Sequence, residues 1–186
     1  MIVVADSSPL VVLVRTGYEH VLSSLFGRIV IPPEVAAEVA APHRPDIVRA
    51  FMATPPAWLE IRPAASVEDV AGLHAGEKAA ISLARELSAD RLVIDERSGR
   101  KAATARRIPV VGTIGVLEIA ARENLIDLGR AFEAVKRTDF WVSPKFLDER
   151  LALFQKHELD RKAEHPQEPP ALHQETPPKP GEEQQP

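Results

Sequence analysis

The stretch MIVVADSSPL, residues 1–10, sets the pattern on which the fold prediction rests. The apolar run over residues 2–5 predicts a short buried strand. Ser8-Pro9 predicts the start of a helix, with the serine as N-cap and the proline at the first helical position. Between the strand and the helix stands a carboxylate, Asp6. Because burying an unpaired charge is costly, Asp6 predicts a binding partner at this strand end.

The same alternation of strand and helix continues along the chain. Short apolar runs, bounded by turn residues, alternate with segments whose apolar residues recur at helical spacing. Continuous apolar runs are typical of parallel strands that are buried on both faces. The pattern predicts an α/β fold with a central parallel sheet covered by helices on both faces. The predicted strands cover residues 2–5, 28–31, 58–63, 91–95 and 109–113, with 140–142 as a candidate for a last short strand.

Composition divides the chain into a folded body and a tail. The 186 residues are 45% hydrophobic, which suffices for one domain with a real core. The formal net charge is −4, and residues 164–186 alone contain five Glu, one Lys and seven of the 17 Pro. Such a segment buries too little apolar surface to offset its ordering entropy. We therefore predict a folded domain over residues 1–160 and a disordered Pro/Glu-rich tail over residues 161–186.

Composition also excludes several classes of protein. The chain has no cysteine, which excludes a disulfide scaffold and a thiolate metal site. No apolar run approaches the ~20 residues that a membrane-spanning helix needs. The N-terminus lacks the charged and apolar regions of a signal peptide. We therefore expect a cytoplasmic protein that does not enter the membrane.

Acidic residues recur where the predicted strands end and the following helices begin. Asp6 and Asp95 each end a predicted parallel strand, where ligands of open α/β sheets bind. Glu34 and Glu38 share one face of the helix after the second strand, because they are four residues apart. Glu77 begins the helix that leads into the strand ending at Asp95. If the strands are neighbours, these carboxylates converge on one crevice.

A group of carboxylates without matching cations favours a bound metal. Like charges in one site raise each other's pKa or require a cation, and hard ions such as Mg²⁺ and Mn²⁺ prefer oxygen ligands. Each acid also has a purely structural interpretation. Asp6 and Asp95 could be helix caps, and Glu77 could favour the positive end of its helix. Glu96, next to Asp95, could be the ligand in its place.

Five short motifs, taken in order, resemble a PIN domain. They are VVADSSPLVVL, IPPEVAAEV, GEKAAISLA, LVIDERSGRKAA and IPVVGTIGVL, and the resemblance covers roughly residues 2–150. The Gly-Glu-x-x-Ala-Ile pattern is similar to one branch of the family, the VapC-like ribonuclease toxins. The resemblance implies a three-layer α/β/α sandwich and a ribonuclease that depends on Mg²⁺ or Mn²⁺. It also implies an antitoxin protein as partner and a homodimer.

The resemblance also assigns individual residues. It implies an acidic cluster that is both catalytic and metal-binding, with hydroxyl residues beside the first acid that orient Asp6 or a bound water. Apart from the resemblance, an acidic site repels RNA unless basic residues lie nearby, so the basic residues after the fourth acid could hold the RNA phosphate backbone or could simply form a solvated helix face. The acids are Asp6, Glu38, Glu77 and Asp95, with Glu96 as the alternate fourth ligand; the hydroxyl residues are Ser7 and Ser8; the basic residues are Arg97, Arg100, Lys101, Arg106 and Arg107.

Other function classes fit the residues less well. A phosphatase with Asp6 as nucleophile needs a second Asp two residues later, where this chain has Ser8. No P-loop or G-x-G-x-x-G pattern is present, and no pair of histidines has a spacing suited to zinc. The main alternative is a PIN fold that binds RNA or acts as a scaffold without turnover. Metal binding without nuclease activity would distinguish that alternative.

Overall fold

The structure, a computed structural model, describes residues 1–164 and the side chains of residues 1–161. Residues 165–186, which make up most of the predicted tail, lie outside the described residues. The chain divides into two compact units, Met1–Leu151 and Ala152–Pro186. The first unit holds the sheet, and the described part of the second is the C-terminal part of the last helix. The predicted boundary at residue 160 stays a prediction.

The first unit is built on one five-stranded sheet in which every strand pair is parallel. Its strand order is β3-β2-β1-β4-β5, so the first strand lies at the centre between β2 and β4. The chain adds β2 and β3 on one side of β1, then β4 and β5 on the other. The topological switch point therefore lies between β1 and β4, where ligands of such sheets bind. The strands are β1 (Val3–Ala5), β2 (Ile29–Ile31), β3 (Leu59–Ile61), β4 (Arg91–Val93) and β5 (Val110–Val111).

Helices cover the sheet and complete the predicted α/β/α sandwich, so the expected fold class is confirmed. The strand residues Val3, Val4, Leu92 and Val93 are fully buried, as a parallel sheet between two helical layers requires. The helices of the described residues are α1 (Ser7–Thr16), α2 (His20–Phe26), α3 (Pro33–Val39), α4 (Asp46–Ala53), α5 (Ala75–Glu86), α6 (Arg97–Ala105), α7 (Thr113–Arg122), α8 (Leu128–Lys136) and α9 (Pro144–Glu164).

The structure differs from the sequence-based expectation at the start of α1 and at residues 140–142. Helix α1 begins at Ser7, with Asp6 at the N-cap position, so the prediction of Ser8 as N-cap is wrong. Asp6 makes no side-chain capping hydrogen bond, so capping does not account for its carboxylate. The candidate strand at residues 140–142 is also wrong, because this segment is a connection between α8 and α9. Trp141 of this segment is fully exposed.

No helix within residues 1–164 is long and apolar enough to cross a membrane. The longest of these helices, α9, is rich in charged residues. It extends to Glu164 and so includes the first four residues of the segment predicted to be a tail.

Candidate functional site

The register of the sheet brings two of the predicted acids to one edge. Strands β1 and β4 are neighbours, with Ala5 opposite Val93. The backbone N–H of Asp6 donates a hydrogen bond to the carbonyl of Val93 at 2.9 Å, which continues the ladder beyond both strands. Asp95 follows two residues later. The two carboxylates therefore lie at the switch point of the sheet, as the sequence pattern requires.

Asp6 is buried and only partly satisfied. The residue is 3% exposed, and its Oδ1 atom has no hydrogen-bond partner. Burial, together with the negative charges of Glu38, Glu77 and Asp95, raises the pKa of Asp6 from 3.8 to about 7. Burial is the largest cause, and the hydrogen bond from the Ser7 backbone N–H acts in the opposite direction. These three acids therefore lie within electrostatic range of Asp6.

Glu77 is the second buried acid with an unpaired oxygen. It is 4% exposed and lies in the first turn of α5. Its Oε2 accepts a hydrogen bond from the backbone N–H of His74 at 3.0 Å, which satisfies a donor at the helix start. Its Oε1 has no partner. The role at the helix end therefore accounts for one oxygen of Glu77 and leaves the other unexplained.

Glu38 connects three elements of the site. Its Oε1 accepts from the backbone N–H of Gly76 at 3.0 Å, and its Oε2 accepts from the Ser7 hydroxyl at 2.6 Å. The Ser7 side chain is therefore directed at Glu38, whereas the sequence analysis directed it at Asp6 or a water. Helix α3, which carries Glu38, packs against both α1 and α5. Glu34, one turn earlier, is half-buried and makes no side-chain hydrogen bond or ion pair within residues 1–161.

Asp95 is held by a residue that the sequence analysis did not single out. Thr113 donates from its backbone N–H to Asp95 Oδ1 at 2.8 Å and from its hydroxyl to Oδ2 at 2.6 Å. Burial raises the pKa of Asp95, against lowering by the hydrogen bonds from Thr113 and by the charge of Arg100. Its position in the sequence could have indicated this role. Thr113 comes two residues after the end of β5, just as Ser7 comes two residues after the end of β1.

The alternate ligand Glu96 occupies a different position. It is exposed and stands at the N-cap position of α6 without a side-chain capping bond. It raises the pKa of Asp95 through its charge, but it is not among the acids that raise the pKa of Asp6. The structure therefore groups Asp95, and not Glu96, with the other acids.

Glycines provide the space for three of these carboxylates. A Cβ atom on each of them would approach a carboxylate oxygen to a distance that real Cβ atoms do not show, so any side chain would displace an acid. Nothing in the sequence pattern marked these glycines as part of the site. The hypothetical Cβ lies 2.5 Å from Glu38 Oε1 at Gly76, 2.5 Å from Glu77 Oε1 at Gly99, and 2.9 Å from Asp95 Oδ1 at Gly112.

The predicted RNA-contacting residues fall into two groups. Arg97 and Lys101 are exposed on α6, as a contact with a phosphate backbone requires. Arg100 is half-buried and turns inward, where its Nη1 donates to the carbonyl of Ile94 at 3.1 Å. Arg106 forms an ion pair with Glu68 at 2.5 Å. Arg100 and Arg106 therefore have intramolecular roles.

The donor set suits a hard divalent cation. All the candidate ligands are carboxylates, and two buried oxygens, Asp6 Oδ1 and Glu77 Oε1, lack any partner. Within the described residues, no three Asp, Glu or His side chains are grouped closely enough to hold one ion together. Mg²⁺ is commonly bound through one or two carboxylates and retains several waters. The residues thus fit a site with two direct ligands better than a full protein cage.

Comparison with known proteins gives the family. A family model described as a PIN domain matches residues 2–156, which is most of the chain. Comparisons with curated proteins and with solved structures gave no match. The matched range contains the whole sheet and every acid described above. The chain belongs to the PIN-domain family, whose members are generally nucleases.

Proposed function

We propose that this protein is a metal-dependent endoribonuclease that hydrolyses RNA phosphodiester bonds. The observation that carries the proposal is the pair of unpartnered, buried oxygens, Asp6 Oδ1 and Glu77 Oε1, among four carboxylates. A purely structural cluster would pair its oxygens, because an unsatisfied buried polar group costs about 1–3 kcal/mol. Two such oxygens in a family of nucleases favour a bound cation.

The four acids would have two different roles. Asp6 and Glu77 would hold Mg²⁺ or Mn²⁺ through their unpaired oxygens. Glu38 and Asp95 are fixed by Ser7, Gly76 and Thr113, but each of their oxygens retains a lone pair for a bound water. When bound, the metal supplies an activated water and neutralises charge that develops on the phosphodiester.

Fixed geometry is what the chain itself contributes. Hydroxyl and backbone N–H groups donate to Glu38 and Asp95 and so orient these carboxylates before the substrate binds. In metal sites generally, groups that are hydrogen-bonded to the ligands fix the ligand orientation in the same way. The glycines at positions 76, 99 and 112 let backbone and carboxylates approach closely. Exposed Arg97 and Lys101 would attract the RNA backbone toward an otherwise acidic crevice.

The testing experiment is cleavage of a mixed pool of structured RNAs in Mn²⁺, Mg²⁺ or EDTA. Wild type is compared with Asp6→Asn and Glu77→Gln, which remove charge while keeping shape. We expect cleavage that requires metal and disappears in both variants. Glu34→Gln is the matched control, because Glu34 lies on the same helix as Glu38 but outside the cluster; we expect it to cleave like wild type. Circular dichroism confirms that each variant is folded.

Two results would contradict the proposal. Cleavage that survives in both Asp6→Asn and Glu77→Gln would point to a contaminating nuclease. Loss of cleavage in Glu34→Gln as well as in the cluster variants would indicate a general effect of charge and not a defined site.

A non-catalytic RNA-binding or scaffold subunit is the second candidate function. The observation that favours it is the spacing of the acids. In the described part of the chain, no three acids lie close enough together to hold one metal ion. Metal binding by wild type, measured by calorimetry and lost in Asp6→Asn, without cleavage of any RNA in the pool, would support this candidate.

We further propose that the nuclease is the toxin of a toxin–antitoxin pair, as a homodimer held inactive by an antitoxin protein. The support is the resemblance of the Gly-Glu-Lys-Ala-Ala-Ile segment at 76–81 to the VapC-like branch. Induced expression should arrest growth of a bacterial host, and Asp6→Asn should abolish the arrest. Equal growth of cells expressing either protein would remove the toxin assignment and leave the nuclease assignment intact.

A further inference from the structure

We infer that Trp141 is a stacking platform for an unpaired base of single-stranded RNA, beside the acidic cluster. This inference rests on the proposed function and deepens it, since it names a residue outside the acidic cluster that would contact the RNA. Trp141 is 100% exposed, although a large aromatic residue is normally well buried. An exposed ring of this kind has a face available to a base.

The segment that carries Trp141 is held in place. Asp139 forms an ion pair with Arg15 of α1. The backbone N–H of Phe140 donates to the Thr138 hydroxyl at 3.2 Å, and the N–H of Val142 donates to the carbonyl of Phe140 at 2.8 Å. The exposure of Trp141 therefore occurs on an anchored connection. Because the backbone of this connection is already held, less of its freedom is lost when a base stacks on Trp141.

Trp141 lines a groove that reaches one acid of the candidate site, Asp95. The groove has a volume of about 610 Å³, and its lining includes Ser8, Asp95, Arg97 and Phe140 besides Trp141. This volume lies within the usual range of ligand sites, about 300–1,000 Å³. A strand that stacked a base on Trp141 would therefore pass beside Asp95.

The cations of this groove suit a phosphate backbone. Arg97 is exposed and has no ion-pair partner within the described residues. Arg44 donates from its Nε to the carbonyl of Glu38 at 3.1 Å. Its charge lowers the pKa of Asp139, which lines the same groove, but the two residues form no ion pair within the described part of the chain. His43 lies next to Arg44 on the same wall. Cations interleaved with aromatic rings are typical of single-strand binding surfaces.

The aromatic ring also selects the form of the nucleic acid. In a duplex the base faces are stacked on each other, and only unpaired bases can stack on a protein side chain. Stacking tolerates any base, because every base has a π-face. The inference therefore predicts a preference for single strands over duplexes without a strong preference for sequence.

Intrinsic fluorescence gives a direct test. The chain has two tryptophans, so Trp58→Phe leaves Trp141 as the only reporter. The probe is a single-stranded RNA of about ten nucleotides, within the range of single-strand sites, and the same sequence as a duplex is the comparison. Binding is measured in EDTA, so that it does not require turnover. We expect quenching by the single strand and little quenching by the duplex.

Substitutions measure the contribution of the ring. Trp141→Ala should weaken binding of the labelled single strand by roughly 5- to 150-fold, the range found when stacking aromatics are removed. Trp141→Phe should restore most of the affinity. Leu125→Ala is the matched control, because Leu125 is also an exposed apolar residue but does not line the groove; it should bind like wild type.

Each outcome has a defined meaning. Absence of quenching, together with unchanged affinity in Trp141→Ala, overturns the inference even if metal-dependent cleavage is found. Quenching by single strands without any cleavage supports the inference while the proposed catalysis fails. If Trp141→Ala converts a dimer to monomers in sedimentation and leaves RNA affinity unchanged, the ring is covered by a second copy of the chain and the inference is overturned.

Discussion

Replacing Asp6 by Asn should stabilise the metal-free protein at neutral and alkaline pH. The Asp6 carboxylate is buried, has an unpartnered Oδ1 and is close to three other acids. Without a cation, its negative charge opposes folding. Asn has nearly the same shape and no charge, so the substitution removes this penalty while the packing is retained.

The size of this gain in stability, and its dependence on pH, follow from the raised pKa of Asp6. The pKa of Asp6 rises from 3.8 in the unfolded chain to about 7 in the folded protein. Each pKa unit corresponds to 1.36 kcal/mol, so above pH 7 the charged carboxylate lowers the free energy of unfolding by about 4 kcal/mol. Between pH 4 and 7 the folded protein holds the proton more tightly than the unfolded chain, so raising the pH destabilises it. The gain from Asp6→Asn is therefore full above pH 7 and absent below pH 4.

The assay is urea unfolding of wild type and Asp6→Asn in EDTA, at pH 8 and at pH 4. We expect Asp6→Asn to be more stable at pH 8 and equal to wild type at pH 4. Adding Mn²⁺ at 100 times its dissociation constant should then stabilise wild type by about 2.7 kcal/mol and leave Asp6→Asn unchanged. Asp6→Asn that is less stable than wild type at pH 8 in EDTA would refute the reasoning, because it would mean that the carboxylate has a favourable partner without metal.

Three further substitutions test the surroundings of the acids. Thr113→Val removes the 2.6 Å hydrogen bond to Asp95 and should cost about 1.5–3 kcal/mol in urea unfolding, whereas Thr113→Ser should retain most of it. Gly99→Ala forces a methyl group against the carboxylate of α5 and should cost about 1–3 kcal/mol and abolish cleavage; wild-type stability and cleavage would contradict the assigned packing. Arg150→Met leaves the buried Glu118, which it binds at 2.6 Å, without its partner and should lower the unfolding free energy by about 2–3 kcal/mol. Adding Glu118→Gln to that variant should recover part of the loss.

Much of the fold was predictable because it depends on local pattern. The apolar runs that became β1, β2 and β4 are continuous, and the turns between elements carry Pro and Gly. The position of Asp6 directly after β1 is likewise a property of the chain. The predicted start of α1 was two residues too late, because the dipeptide Ser8-Pro9 is a strong local signal for a helix start, whereas the helix begins at Ser7 with Asp6 at the N-cap position.

The sequence by itself determined the α/β class, the parallel sheet and the position of the acids at strand and helix ends. Only the tertiary structure decided which oxygens are partnered. Glu38 is satisfied by Ser7, 31 residues away, and Asp95 by Thr113, 18 residues away. It also turned Arg100 inward and placed Trp141 in the groove beside Asp95. The physical reason is that periodicity records which face of an element is buried, whereas hydrogen-bond partners depend on how distant elements pack.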